Sequence, residues 1–278
     1  MPKVSIVMGV YNCKDKKALF RSVKSMINQT FTDWEFIIVN DGSNSDTTLA
    51  LEDVAKLDHR IMITGYEDNK GLAYALNYGI SIAKGEYIAR MDDDDISRKD
   101  RLEKQVSYLD GHIAIDFVGS IANVFNKNGI WGVLKMPEYP SKNDFLWNIP
   151  FIHPSMVFRK KVFDDCKYST DKVNLRCEDY TLVMDLYSKG YKGYNFQESL
   201  LGYYVENGSK KYRPMKDRIN EAVVRFRGYK KNGILLCGIP YIVKPLVIGL
   251  LPQYIFKLLK KFQYSSNLVI CQHPKSKG

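Results

Sequence analysis

Residues 34–43 read Trp34-Glu35-Phe36-Ile37-Ile38-Val39-Asn40-Asp41-Gly42-Ser43, WEFIIVNDGS. Six residues rich in β-formers run without a break into four that favour turns, so a strand ends at Val39 and a polar loop begins at once. The flanking chain repeats the pattern. Residues 4–10 (VSIVMGV) are another short apolar run, and Lys14 to Ile27 then places Leu19, Val23, Met26 and Ile27 on one helical face. Downstream, the spacing predicts a helix over Asp46 to Leu57, a strand near Ile61 to Thr64, a helix over Gly71 to Ala83 and a strand in YIARM, residues 87–91. Strand, helix, strand and loop in that order open a parallel α/β sheet.

The last of these strands runs straight into Asp92-Asp93-Asp94-Asp95. Carboxylates crowded in this way raise one another's pKa and destabilise a fold unless something positive sits among them. A solvated acidic loop would explain an isolated run of this kind. Here, however, both polar loops, after Val39 and after Met91, fall at the carboxyl ends of strands, where open α/β sheets collect their ligands. Further on, Asp116 to Phe125 and Gly129 to Met136 read as paired strands around Asn126-Lys127-Asn128-Gly129, and Ser141 to Asn148 as a short helix. A helix starting at Glu178-Asp179 buries Leu182, Val183, Leu186 and Tyr187 and stops at Gly190. Acidic residues in its first turn complement the helix dipole whatever else they do.

The 278 residues, 45% hydrophobic and 26% charged, have the composition of an ordinary globular protein. Five cysteines, an odd count without a CxxC pair, read as reduced thiols rather than a disulfide framework or a zinc site. MPKVSIVMGV has too short an apolar run for a secretory signal, so the chain is expected to face the cytoplasm. The net charge of +10 is unevenly placed: through Tyr204 there are 26 basic and 28 acidic residues, and from Val205 onward 15 and 3. Such a segment attracts a polyanion, either nucleic acid or an anionic membrane face.

Six segments, in order, carry a resemblance: VSIVMGVYN, VNDGSNSDT, NKGLAYALNYGI, ARMDDDD, HPSMVFRKKVF and CEDYTLVMDLYSKGY. Together they resemble family 2 glycosyltransferases over roughly residues 3 to 205. The resemblance implies a GT-A fold, a nucleotide-binding mixed α/β sheet flanked by helices. It also implies an inverting hexosyltransferase that uses Mn²⁺ or Mg²⁺. In ARMDDDD it assigns the metal to Asp94, the ribose or donor sugar to Asp92 and support of the site to Asp95, on the acceptor side, with Asp93 at the variable position. Asp41 is implied to accept the ring N–H of uracil, with Val10 and Tyr11 near the base, and Asn69, Lys70 and Gly71 on the donor side; a guanine ring N–H would suit Asp41 as well. Arg90 pairs with a carboxylate or with the diphosphate. Asp179 is implied as the base that removes the acceptor proton, Glu178 orients acceptor or base, and His153 lies on the acceptor side. YYVENGS, residues 203–209, departs from the many relatives that have Arg and His there: Glu206 and Asn207 take those places, with Lys210, Lys211 and Arg213 nearby.

Residues 232–256 (NGILLCGIPYIVKPLVIGLLPQYIF) are apolar apart from Lys244, and basic residues flank them. Three prolines and a central lysine weaken a spanning helix, so helices lying on an anionic leaflet are preferred to a span or to a core or oligomer contact. Nucleic acid is not expected, since no recognised binding module accompanies the charge. The expected organisation is a catalytic domain over 1–205, divided into a nucleotide-sugar half (1–115) and an acceptor half (116–205), and a basic, apolar C-terminal helical region over 206–278. A UDP-hexose or UDP-N-acetylhexosamine donor and a lipid-linked saccharide acceptor follow by analogy with relatives that build bacterial surface polysaccharide, on the inner face of the cell membrane. Two other readings are a non-catalytic nucleotide-sugar-binding or scaffold protein and a sugar-1-phosphate nucleotidyltransferase. The second would need a glycine-rich loop where YNCKDKK stands.

Overall fold

Strand β1 (Val4–Val10) is followed by α1 (Lys16–Ile27), β2 (Trp34–Asp41), α2 (Ser45–Ala55), β3 (Ile61–Tyr66), α3 (Leu72–Ile82) and β4 (Tyr87–Arg90) in a computed structural model that describes residues 1–206 and 214–250. β2 lies between β1 and β3, and β4 on the far side of β1, all parallel. Successive side chains of each strand enter opposite cores. Ile6, Met8, Phe36 and Ile38 pack with Leu19, Val23, Leu51 and Val54, whereas Val7, Ile37 and Val39 pack with Ala75, Leu76 and Ile80. A sheet covered on both faces needs apolar residues at every strand position, which is why these runs do not alternate.

The second half turns the sheet mixed. β5 (Ile96–Ser97), α4 (Arg101–Gly111), β6 (Phe117–Asn126), β7 (Gly129–Leu134), β8 (Val157–Arg159), α5 (Val162–Asp165), α6 (Glu178–Ser188) and β9 (Gly193–Tyr204) follow in chain order. β8 runs antiparallel to both β4 and β6, so three residues join the two halves in the order β3-β2-β1-β4-β8-β6-β9-β5, with β7 paired to β6. The β6–β7 hairpin and the start of α6 fall where the sequence predicts them. The helix expected over 141–148 is a short 3-10 turn, Lys142–Leu146. Helix α4 and strands β5, β8 and β9 are found where no element was expected.

Beyond the sheet, α7 (Met215–Asn232) packs on α6, and α8 (Leu235–Leu250) packs on α7. Asn232 donates to the Met184 carbonyl at 3.0 Å, Lys231 pairs with Asp185 at 2.6 Å, and Arg225 donates to the Tyr229 hydroxyl at 2.8 Å. Among the described residues no helix is long and apolar enough to cross a membrane. Residues 207–213 and 251–278, with Asn207, Lys210, Lys211, Arg213 and the end of the apolar tail, lie outside the described residues.

Candidate active site

Asp41 ends β2 opposite Tyr66 in register. Its buried carboxylate accepts four protein donors: the Tyr66 hydroxyl at 2.8 Å, the Asn69 amide at 2.8 Å, and the N–H groups of Lys70 at 2.8 Å and Gly71 at 3.0 Å. Two of those N–H groups lie at the start of α3, whose cap residue Gly71 (φ 90°) brings no side-chain cap of its own. Asp41 therefore caps α3 across the sheet, where a negative charge also suits the helix dipole. Gly42 permits this closeness, since at φ 65° an added Cβ would meet the Asn69 nitrogen at 2.4 Å. Val10, Tyr11, Asp41, Asn69 and Gly71 line a pocket of about 230 Å³. Lys70 turns elsewhere, with its ammonium 4.9 Å from the Tyr66 ring centre and 4.7 Å from that of Tyr74.

The acidic loop after β4 lacks such a set of donors. Carboxylate oxygens of Asp92, Asp94 and Asp95 lie within 4.8 Å of one another. Asp92 pairs with the buried Arg90 guanidinium at 2.5 Å. Asp95 is buried and takes an N–H from Tyr204 at 2.8 Å, while its other oxygen has no hydrogen-bond partner among the described residues. Asp93 is set apart from the trio and lies beside the Cys13 thiol, which burial and then Asp93 push up to about 11. Burial, reinforced by Asp92, lifts the Asp94 carboxyl to about 7 and that of Asp93 to about 6; the same causes hold Asp95 well above the usual carboxylate range. Burial alone would lower the Arg90 pKa, yet Asp92 offsets this and leaves it raised.

A cavity of about 700 Å³ brings together Arg90, Asp92, Asp94, His153, Glu178 and Asp179. Asp179 stands in the first turn of α6, and its carboxylate accepts the N–H of Tyr180 at 2.7 Å. Burial pushes its carboxyl up to about 6, with the adjacent Glu178 adding to the rise. His153 is buried, with Nε2 2.7 Å from the Tyr168 hydroxyl, and burial together with the Arg90 charge holds it neutral. Leu72 lines both this cavity and the smaller pocket, so the two adjoin. Asp95 is buried, its carboxylate within 4.8 Å of those of Asp92 and Asp94, and it does not line either of these two spaces.

Three close carboxylates, one with a buried oxygen lacking a donor, fit a hard divalent cation of the Mg²⁺ or Mn²⁺ class, which prefers oxygen ligands. Other residues of the site were assigned no role from the sequence. Tyr203 and Trp131 line the cavity from β9 and β7, and Arg176 does so from a left-handed backbone position (φ 67°). Arg101, fully buried in α4, donates to the Arg90 carbonyl at 2.8 Å and to Gln105 at 3.0 Å, and Gln105 donates to the Ser155 carbonyl at 2.8 Å. These bonds tie the acidic strand to the His153 segment. The helical spacing of Leu102, Val106 and Leu109 could have revealed α4, although nothing marks Arg101 in advance.

Comparison with known proteins agrees with this architecture. The Bacillus subtilis chain EpsE, described as a glycosyltransferase, is 32% identical over 262 residues, 94% of each chain. The Escherichia coli protein WfaP, named UDP-Glc:alpha-D-GlcNAc-diphosphoundecaprenol beta-1,3-glucosyltransferase, is 28% identical across 89% of this chain and 95% of its own. The fold matches that of the mannosyltransferase PcManGT from Pyrobaculum calidifontis, solved with GDP-Man and Mn²⁺, at a TM-score of 0.63 and 16% identity over 97% of this chain and 84% of that one. The family described as Glycosyl transferase family 2 matches residues 5–167, and with the mixed GT-A sheet and the site at its strand ends the chain belongs to that family and is a glycosyltransferase.

Proposed function

We propose that the chain moves a hexose or N-acetylhexosamine, with inversion, from a UDP-sugar to a hydroxyl of a lipid-linked saccharide in bacterial surface polysaccharide assembly. The observation that supports this most directly is the common cavity of Asp179 and the acidic loop, in which burial lifts the Asp179 carboxyl to about 6. A carboxylate near that value is mostly ionised at neutral pH and still basic enough to take a proton in the transition state. Asp179 removes the acceptor proton while the acceptor oxygen attacks the anomeric carbon and the bond to the diphosphate breaks. Glu178 orients the acceptor beside it. Charge building on the leaving diphosphate is met by Arg90, and Mn²⁺ or Mg²⁺ held at Asp94, with Asp92 and Asp95 around it, would add Lewis-acid stabilisation there.

On the donor side, Val10, Tyr11, Asn69 and Gly71 form the base pocket. Asp41 fixes its floor, and a uracil N–H that reaches Asp41 must displace either the Asn69 amide or the Tyr66 hydroxyl. Relatives and fold neighbours use different bases: WfaP is named for UDP-Glc, and PcManGT holds GDP-Man. In this reading residues 1–115 hold the donor, 116–205 face the acceptor, and 206–278 keep the enzyme on the inner face of the membrane, drawing its donor from the cytoplasm. WfaP's diphosphoundecaprenol-linked substrate supports the lipid-linked acceptor by analogy.

The test is Mn²⁺-dependent UDP release from a panel of UDP-sugars, with and without a short lipid-diphosphate-linked saccharide, for wild type, Asp94→Ala and Asp179→Asn. Acceptor-dependent release abolished by both substitutions is the expected result. Full turnover in folded Asp179→Asn would sink the assignment of the base, and absence of any nucleotide binding would favour the scaffold reading.

A further inference from the structure

We infer that the outward face of α8 docks on an anionic lipid bilayer and sets the rim of the large cavity at the membrane surface. Helix α8 spends one face on α7. Gly238 lies so close to the Tyr229 ring that a Cβ there would stand 2.2 Å from it, and the Pro245 carbonyl accepts from Arg218 at 3.3 Å. The opposite face carries Leu236, Ile239, Val243, Val247 and Leu250, which are 84%, 53%, 45%, 52% and 78% exposed. Their spacing of three, four, four and three residues puts them in one stripe, about 21 Å long at 1.5 Å per residue. A continuous aliphatic stripe facing outward marks an interaction surface rather than ordinary scatter of exposed apolar residues.

Charge selects the occupant. From Asn232 to the end of the chain there are six lysines and no acidic residue, and exposed Lys230 and Lys231 close α7 just ahead of the stripe. Basic residues just before an exposed aliphatic helix face, in a stretch of chain without acidic residues, suit a layer of phosphate headgroups over acyl chains, which needs no matching shape. Lys244, the one charge within α8, does not interrupt the stripe: its ammonium lies 3.5 Å from the ring centre of Trp147. Trp147 is 60% exposed, meets Tyr241 edge-on, and directly precedes Asn148 and Ile149, which line the large cavity. Tryptophan and tyrosine favour the boundary between water and hydrocarbon. The lipid-facing helix and the cavity wall therefore meet at one aromatic pair, where an acceptor carried by lipid would enter. This last step rests on the lipid-linked acceptor proposed above; the docking itself does not.

The experiment is co-sedimentation of the full chain, without donor or acceptor, with vesicles of phosphatidylglycerol and phosphatidylcholine or of phosphatidylcholine alone. Wild type is compared with Ile239→Ser/Val243→Ser/Val247→Ser and with the single Val243→Glu, each checked for an unchanged melting midpoint. Wild type is expected to bind the anionic vesicles, more weakly at high salt and on the neutral lipid, and the triple variant at least tenfold less well, with Val243→Glu shifted in the same direction. Equal binding by wild type and both variants overturns the inference, as does failure of wild type to bind. A concentration-dependent dimer that the triple variant loses would also overturn it by making a second copy the occupant. UDP release with a detergent-dispersed, lipid-diphosphate-linked saccharide is then read separately: its absence would count against the proposed acceptor and leave the vesicle result untouched.

Discussion

Two parallel strands that flank β1 present carboxylates at the same edge of the sheet and treat them in opposite ways. Asp41, after β2, receives four donors from its own chain, whereas Asp92, Asp94 and Asp95, after β4, share Arg90 and one N–H from Tyr204. A buried charge whose acceptor positions are filled by its own chain is held in place without a ligand. Charges that repel one another, with a buried Asp95 oxygen left over, stabilise nothing by themselves and are poised for a cation or a proton from outside. Asp179 belongs with the second group, since it takes one N–H and its pKa is raised. Exposure alone would not have separated Asp41 from Asp95, because both are buried, while Asp92 and Asp94 are partly exposed.

The contrast is broken most directly at Asp179. Asparagine keeps the shape and the N–H contact and removes the base, so Asp179→Asn is expected to lose about 10³-fold in kcat at an unchanged melting midpoint. In wild type, kcat/KM should rise with pH through about 6 as the carboxyl ionises, and that limb should vanish in the variant. A variant that kept the limb would assign the titration to another group. At Asp41 the effect should move from rate to stability. Asp41→Asn leaves at least one of the Lys70 and Gly71 N–H donors facing an NH₂ group, at a cost of about 3 kcal/mol in denaturant unfolding. Unchanged stability would show that the four short contacts do not hold the loop.

Asp94 tests the opposite condition. Its carboxyl is raised to about 7 by burial and then by Asp92. A carboxyl whose folded pKa exceeds its unfolded value favours the fold below about pH 4, and that contribution is lost as pH rises through about 7. The metal-free protein should therefore be more stable at pH 5 than at pH 8, and Mn²⁺ should stabilise it more at pH 8. With metal at a hundred times its Kd, thermal unfolding should show about 2.7 kcal/mol of stabilisation in wild type and none in Asp94→Ala. Equal metal stabilisation in both proteins would place the ion elsewhere.

Sequence alone revealed the half of the fold that has two covered faces. Strands β1, β2 and β4 are short, mostly apolar runs ending in polar loops, a pattern that needs no knowledge of partners. Strand β9 was not legible because Gly193–Tyr204 mixes polar and apolar residues, and its pairing with β6 slips in register between Ser120 and Ala122. Strand β8 has three residues, too few to carry a period. The site divides similarly. That carboxylates gather at strand ends follows from motif order, but whether each is satisfied depends on contacts across the chain: Tyr66 reaches Asp41 only because β2 and β3 pair in that register. Direction within the acidic loop was beyond periodicity as well, since a tight turn aims each side chain individually.

That last point gives the smallest and sharpest test. Asp93 sits between two members of the trio in sequence but turns to Cys13 in space, and burial followed by Asp92 raises its carboxyl to about 6. Alanine there removes a charge that the site repels and takes nothing from the trio. Asp93→Ala is expected to turn over within about twofold of wild type, the range of substitutions that break no special contact, and to melt no lower. Asp95→Ala, made beside it, removes the buried carboxylate held by Tyr204 and should lose the metal response that Asp93→Ala keeps. Were the two variants equally impaired, the loop would be acting through its total charge, and the distinction between satisfied and unsatisfied carboxylates would not extend to individual side chains within it.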